Sequence, residues 1–163
     1  MNWIFGDNIN TDLITPGRYN ITTDPKELAK IAFIEHRPEF AKKVKRDDFV
    51  IGGKNFGCGS SRETAVTALF ACGIKAIIAK SYARIFYRNC MNQGMLAIIA
   101  DTDNIEEQDK LGWDFKKQEI INKTKNIRLT AIMPMLMMKL YKEGGIIAYL
   151  QKNGLNSVGK LFK

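Results

Sequence analysis

The sequence predicts an α/β fold. Short, wholly apolar runs alternate with stretches of helical periodicity, and glycines punctuate the junctions. No internal repeat, low-complexity tract or Pro/Ser-rich linker interrupts the pattern. The 163 residues favour one domain, spanning 1–163, with a hydrophobic core of its own. A composition of 45% hydrophobic and 26% charged residues is that of a globular chain, not a disordered one.

The elements follow in order. Pro25 to Ala32 reads as a short helix, with Asp24 as its cap and Pro25 at the first position, where a missing N–H is tolerated. Phe49-Val50-Ile51-Gly52-Gly53 reads as a strand running into glycine. Arg62 to Cys72, rich in Ala, Leu and Thr, reads as a helix stopped by Gly73. Ile74 to Ala79 and Met95 to Ala100 read as buried strands, each too short to be a good helix. Between them, Ser81 to Gln93 is predicted helical, capped by Ser81 and ended by Gly94. Asn126 to Ile132 alternates and suggests a later strand. Met135 to Lys142 and Ile146 to Lys152 read as helices separated by Gly144-Gly145. Met133, Met135, Met137 and Met138 read as core filler and not as a binding surface.

Several function classes are disfavoured. No apolar run approaches the roughly 20 residues that span a bilayer. Met1 to Asp7 has no basic start and no apolar stretch of signal-peptide length, so a cytoplasmic location is expected. Cys58, Cys72 and Cys90 form no CxxC pair, and the lone His36 offers no partner spacing. A metal site or iron–sulfur cluster held by this chain alone is not expected, and reduced thiols are. The net charge of +8 raises nucleic-acid binding, but the lysines are mixed with acids, as in Lys42-Lys43-Val44-Lys45-Arg46-Asp47-Asp48. A solvated basic surface accounts for this charge, and a positive field also suits a small anionic substrate.

The segment Gly52-Gly53-Lys54-Asn55-Phe56-Gly57-Cys58-Gly59-Ser60-Ser61-Arg62-Glu63 carries the most chemistry. It joins a predicted strand to a predicted helix, and its glycines let backbone N–H groups approach a ligand. The helix start adds a positive dipole end beside two hydroxyls and a guanidinium. The composition suits a carboxylate or phosphate. Ser60 and Glu63 also match a capping box, a purely structural role. The glycine spacing gives neither a Walker loop nor a dinucleotide fingerprint. Two further segments stand out: Gly6-Asp7-Asn8-Ile9-Asn10-Thr11-Asp12, dense in Asx-turn formers, and Ala79-Lys80-Ser81-Tyr82-Ala83-Arg84-Ile85-Phe86-Tyr87-Arg88-Asn89. Arg84 and Arg88 share a helix face there and read as solvated or ion-paired.

Taken together, these three segments resemble the aconitase family, and in particular its free-standing small subunits. The resemblance runs from about Phe5 to Ile99, with Glu143-Gly144-Gly145-Ile146 also similar, so the motif-bearing core is about 5–100 and a C-terminal strand and helices occupy about 126–152. It implies an aconitase-type swivelling β/β/α domain. It also implies a hydro-lyase active only with a large subunit, which carries a 4Fe-4S cluster on its own cysteines. The implied reaction is isomerisation of 2- and 3-isopropylmalate by dehydration and rehydration, in leucine biosynthesis. Homoaconitate or another alkylmalate such as dimethylmalate is the alternative substrate. A non-catalytic anion- or RNA-binding module is the alternative from another class, and self-association of the isolated chain is a further option.

Position by position, the resemblance makes Ser60 the catalytic base, acting as an alkoxide. Ser61, Arg62, Arg18 and Gly59 become substrate-binding residues for a small di- or tricarboxylate. Asp12 and Thr11 take an orienting role, and Ile21 a specificity role against an alkyl group. No metal ligand falls on this chain. Two departures are visible. Thr64 stands where many relatives have His, and Tyr19-Asn20-Ile21-Thr22 lacks the arginine of homoaconitase-like members, which mildly favours an isopropyl-type substituent.

Overall fold

The computed structural model describes residues 1–161. In chain order it holds β1 (Asn2–Ile4), α1 (Thr11–Ile14), α2 (Pro25–Lys30), α3 (Phe40–Lys43), β2 (Phe49–Gly52), α4 (Glu63–Ala71), β3 (Ala76–Ala79), α5 (Arg84–Gln93) and β4 (Ala97–Ala100). There follow β5 (Leu111–Asp114), β6 (Glu119–Asn122), β7 (Ile127–Ile132), α6 (Met135–Glu143) and α7 (Ile146–Asn153). The strands form one mixed sheet in the order β1-β2-β3-β4-β7-β6-β5.

The sheet has two halves of different character. β1 to β4 run parallel, in register Trp3↔Val50, Val50↔Ile77 and Ile77↔Ala97. Every residue of β2 and β3 is buried, which is why both read as unbroken apolar runs. β7 joins β4 antiparallel and continues into an antiparallel meander through β6 and β5. Its alternating exposure matches the alternation of its sequence. Helices pack in a chain of contacts: α2 on α4, α4 on α5, and α5 on both α6 and α7. At the β1 edge, Trp3 and Phe5 meet Phe33 and Phe40, with Phe5 stacked on Phe33 at 4.1 Å.

The predicted α/β alternation is present, and the helix stops at Gly73 and Gly94 lie where glycine adopts the left-handed region, φ +78° and +73°. Asp24 caps α2 as expected, accepting from the Lys26 and Glu27 amides. Two readings need correction. α5 begins at Arg84, not Ser81, because the Ser81 hydroxyl instead accepts from the Asn55 amide and Tyr82 sits in a β-bridge with Phe56. Of the methionines, Met133 and Met137 are core residues, whereas Met135, at the start of α6, is 82% exposed.

Candidate active site

Because β1, β2 and β3 are parallel, their carboxyl ends share one edge of the sheet, the usual place for a ligand in such sheets. The three sequence segments leave from those ends. They do not diverge. The Asn8 amide donates to Lys54 O and the Gly57 amide to Ile9 O, and an Asn10–Cys58 bridge extends the pairing of β1 with β2. On the other side, the Phe56 amide donates to Ser81 O, the Ala83 amide to Phe56 O, and the Lys80 amide to Gly53 O. The loops are therefore a parallel ladder continued past the strands.

This ladder positions the Ser-Ser-Arg turn. Gly57 takes φ +77° with its Cα facing the buried Phe86 ring, leaving no room for a side chain. Gly59 follows at φ +87° and turns the chain toward α1. The Ser60 carbonyl is then held twice, by the Thr11 hydroxyl at 2.8 Å and by the Arg62 amide at 2.8 Å. Arg62 is half-buried. Its Nη1 pairs with Asp12 Oδ1 at 2.6 Å and donates to Thr15 O at 2.8 Å, while Asp12 also accepts from the Gly17 amide.

The capping box expected from Ser60 and Glu63 does not form. Arg62 is the N-cap of α4 and no side chain caps it, so Ser60 lies outside the helix with its side chain exposed. α5 likewise starts from Ala83 without a side-chain cap. Two uncapped helix starts, each presenting unpaired first-turn N–H groups, thus flank the same hollow. That hollow has a volume of about 210 Å³ and is lined by Gly59, Ser60, Ser61 and Arg62 on one side and Arg84, Ile85 and Asn89 on the other. Such a combination of hydroxyls, guanidinium groups and open amides has the chemistry to bind and orient a small anion.

The structure brings together Gly59, Ser60, Ser61, Arg62, Thr11 and Asp12. It leaves two predicted residues outside. Arg18 sits on the turn Gly17–Tyr19, bonds Glu35 through its Nε and lies over the Tyr19 ring. The Glu35 hydrogen bond raises its pKa further. Ile21 is 89% exposed beyond that turn. Conversely, Arg84, Ile85 and Asn89 line the hollow although periodicity assigned them no function. The missed signal was that their helix starts right after a segment paired with the Ser-Ser-Arg loop. Of the thiols, Cys58 is half-buried in the loop, burial pushes Cys72 up to about 12, and burial pushes Cys90 up as well. Among the described residues no cluster of His, Cys, Asp or Glu is arranged to hold a metal ion, so these residues do not fit an iron–sulfur cluster.

Comparison with known proteins gives a consistent picture. The model of the aconitase C-terminal domain matches residues 4–103. The 3-isopropylmalate dehydratase small subunit 2 of Archaeoglobus fulgidus is 48% identical over 154 residues, which is 93% of each chain. The methanogen homoaconitase small subunit of Methanocaldococcus jannaschii is 49% identical over 152 residues, 93% of this chain and 89% of that one. A solved structure of 3-isopropylmalate dehydratase from Methanocaldococcus jannaschii superposes with a TM-score of 0.89 at 47% identity, covering 98% of this chain and 96% of that one.

Proposed function

The chain belongs to the aconitase C-terminal domain family, and from that premise we propose that it is the small subunit of a 3-isopropylmalate dehydratase. It acts on the 2- and 3-isomers only with a large subunit completing the site. The observation that carries this reading is the hollow at the carboxyl ends of the parallel strands, where Ser60, Ser61 and Arg62 meet open helix amides. The family resemblance assigns the 4Fe-4S cluster to the partner. When bound there, the cluster supplies a Lewis acid for the substrate hydroxyl and a carboxylate.

This chain's residues do the rest. Ser60, as an alkoxide, takes the proton from the carbon beside a carboxylate while hydroxide leaves the neighbouring carbon, giving a cis-alkene diacid. Water returns with the opposite regiochemistry: hydroxide bonds to the carbon that lost the proton, and Ser60 delivers a proton to the carbon that lost hydroxide. A serine oxyanion is costly in water, so its support matters. The open N–H groups at the start of α4 and its dipole lie next to Ser60. Arg62 grips a carboxylate with the donors left after Nη1 is committed to Asp12 and Thr15 O, and those two partners orient the fork. Thr11 holds the Ser60 carbonyl, so Asp12 and Thr11 act on the site through Arg62 and Ser60.

A second reading, a homoaconitase small subunit, is favoured by the 49% identity to the methanogen homoaconitase small subunit. Anaerobic reconstitution with the large subunit and assay of both acids separates the two. Turnover of isopropylmalate by the pair, and none by either subunit alone, is the expected result. Preferential turnover of homoaconitate selects the second reading, and salt-sensitive RNA binding with no turnover of either acid rejects both. In the active pair, Ser60→Ala lowers kcat by about 10²–10⁴-fold, the range for a lost general base, without changing assembly. A kcat within threefold of wild type removes Ser60 from that role.

A further inference from the structure

We infer that Arg84 is a second carboxylate-binding residue of this hollow, holding one end of a dianionic substrate while Arg62 holds the other; the inference rests on the dehydratase reading. Arg84 is the first residue of α5 and lines the same hollow as Ser60, Ser61 and Arg62. Of the two arginines lining the hollow, Arg62 has an ion-pair partner and Arg84 has none among the described residues; Arg46 and Arg88 are unpaired as well, but neither lines the hollow. Arg62 is partly neutralised by Asp12, Arg18 by Glu35, Arg37 by Glu39 and Glu107, and Arg128 by Glu119. Arg84 makes no ion pair among the described residues, and the first turn of α5 contains no acidic side chain.

An arginine at a helix start is electrostatically misplaced, since the N–H groups there already carry positive partial charge. Here that misplacement is doubled, because the uncapped start of α4 faces the same space. The hollow therefore concentrates a guanidinium without a counter-charge, a half-satisfied one and two open helix ends. An acid with two carboxylates relieves this arrangement, and one arginine alone is a poor match to two carboxylates. The placement is also rigid. The Ala83 amide is tied to Phe56 O at 2.9 Å, and Phe86 packs edge-on against Phe56 at 5.6 Å, so the Arg84 backbone is fixed relative to the serine turn. Arg88, one helical turn on, is exposed and does not line the hollow. It provides a control of equal charge on the same helix.

The test uses the reconstituted two-subunit enzyme carrying wild-type, Arg84→Gln, Arg84→Lys or Arg88→Gln small subunit. KM and kcat are measured with isopropylmalate, together with competitive inhibition by a substituted succinate and by its monoamide. Arg84→Gln should raise KM about 10–100-fold with kcat within about threefold, the size of a lost charged hydrogen bond. It should also erase the preference for the diacid inhibitor over the monoamide. Arg84→Lys should recover part of the affinity, and Arg88→Gln should leave KM within about twofold, as expected for a screened surface charge. An unchanged KM or an intact diacid preference in Arg84→Gln overturns the inference. So does an equal rise in Arg88→Gln, which would reveal a general field, or a fall in kcat alone. A wild-type pair that turns over no isopropylmalate refutes the underlying dehydratase reading instead, and the inference falls with it.

Discussion

Replacing Gly57 by alanine tests how the serine turn is held against α5. Gly57 has φ +77°, a conformation that costs an L side chain about 1–2 kcal/mol. A Cβ there also falls on the Cβ and ring of Phe86, which is buried and packed against Phe56. Forcing a methyl into such a contact costs about 1–3 kcal/mol more. The sum, about 2–5 kcal/mol, is a large share of the roughly 5–15 kcal/mol that stabilises a domain. At about 2–4 °C per kcal/mol for this chain length, melting should fall by about 4–20 °C. Gly59→Ala is the internal control. Its φ is +87°, but the nearest atoms to an added Cβ are at 3.5 and 3.6 Å, an ordinary contact. It should show only the conformational cost, a fall of about 2–8 °C. Differential scanning calorimetry of the two variants isolates the Phe86 clash. Melting temperatures within about 2 °C of each other would refute the close approach of Gly57 to α5. A Phe86→Leu background should shrink the Gly57→Ala penalty, since contacting sites are not additive.

Two other outcomes follow from the same geometry. Arg62→Lys turns a fork held by Asp12 and Thr15 O into a point charge, so KM for the dicarboxylate should rise about tenfold. Stability should change by under about 1 kcal/mol, because Asp12 is largely exposed; a loss of several kcal/mol would make Arg62 a structural residue. At alkaline pH, Cys72 stays protonated in the native state up to about 12, against a thiol value of 9.0, because burial penalises the thiolate. The unfolded chain releases that proton first, so the contribution is complete below about pH 9 and is lost as pH rises toward about 12. Urea midpoints should decline over pH 8.5–10.5 and decline less steeply in Cys72→Ala, whereas parallel slopes would show that Cys72 ionises freely in the fold.

The parallel half of the molecule was readable because its strands are buried on both faces and its helices end at left-handed glycines. Ala76-Ile77-Ile78-Ala79 can do little else between Gly73 and a polar turn. Of the meander, β7 was readable from its alternation, whereas β5 and β6 were not. Leu111–Asp114 and Glu119–Asn122 are half-buried and mix charged with apolar residues, so pairing and not pattern makes them strands. β1 was missed because three residues are too few to show a period. Within the site, the Ser-Ser-Arg loop was legible from its glycines and hydroxyls. The placement of Arg84 and Ile85 beside it was not, because their proximity depends on the Phe56–Tyr82 bridge, a contact between residues 26 positions apart that leaves no local trace. Arg18 and Ile21, named by the resemblance, do not line the hollow in this chain alone: the turn at Gly17–Tyr19 sets Arg18 against Glu35.

The amide-to-carbonyl links among the Asn8, Lys54 and Lys80 segments mean that none of these stretches can breathe independently. Deuterium uptake at the Gly57, Thr11 and Ala83 amides should therefore follow one common opening event, shared with the sheet itself. The walls of the hollow are thus joined by backbone hydrogen bonds to the sheet that carries them.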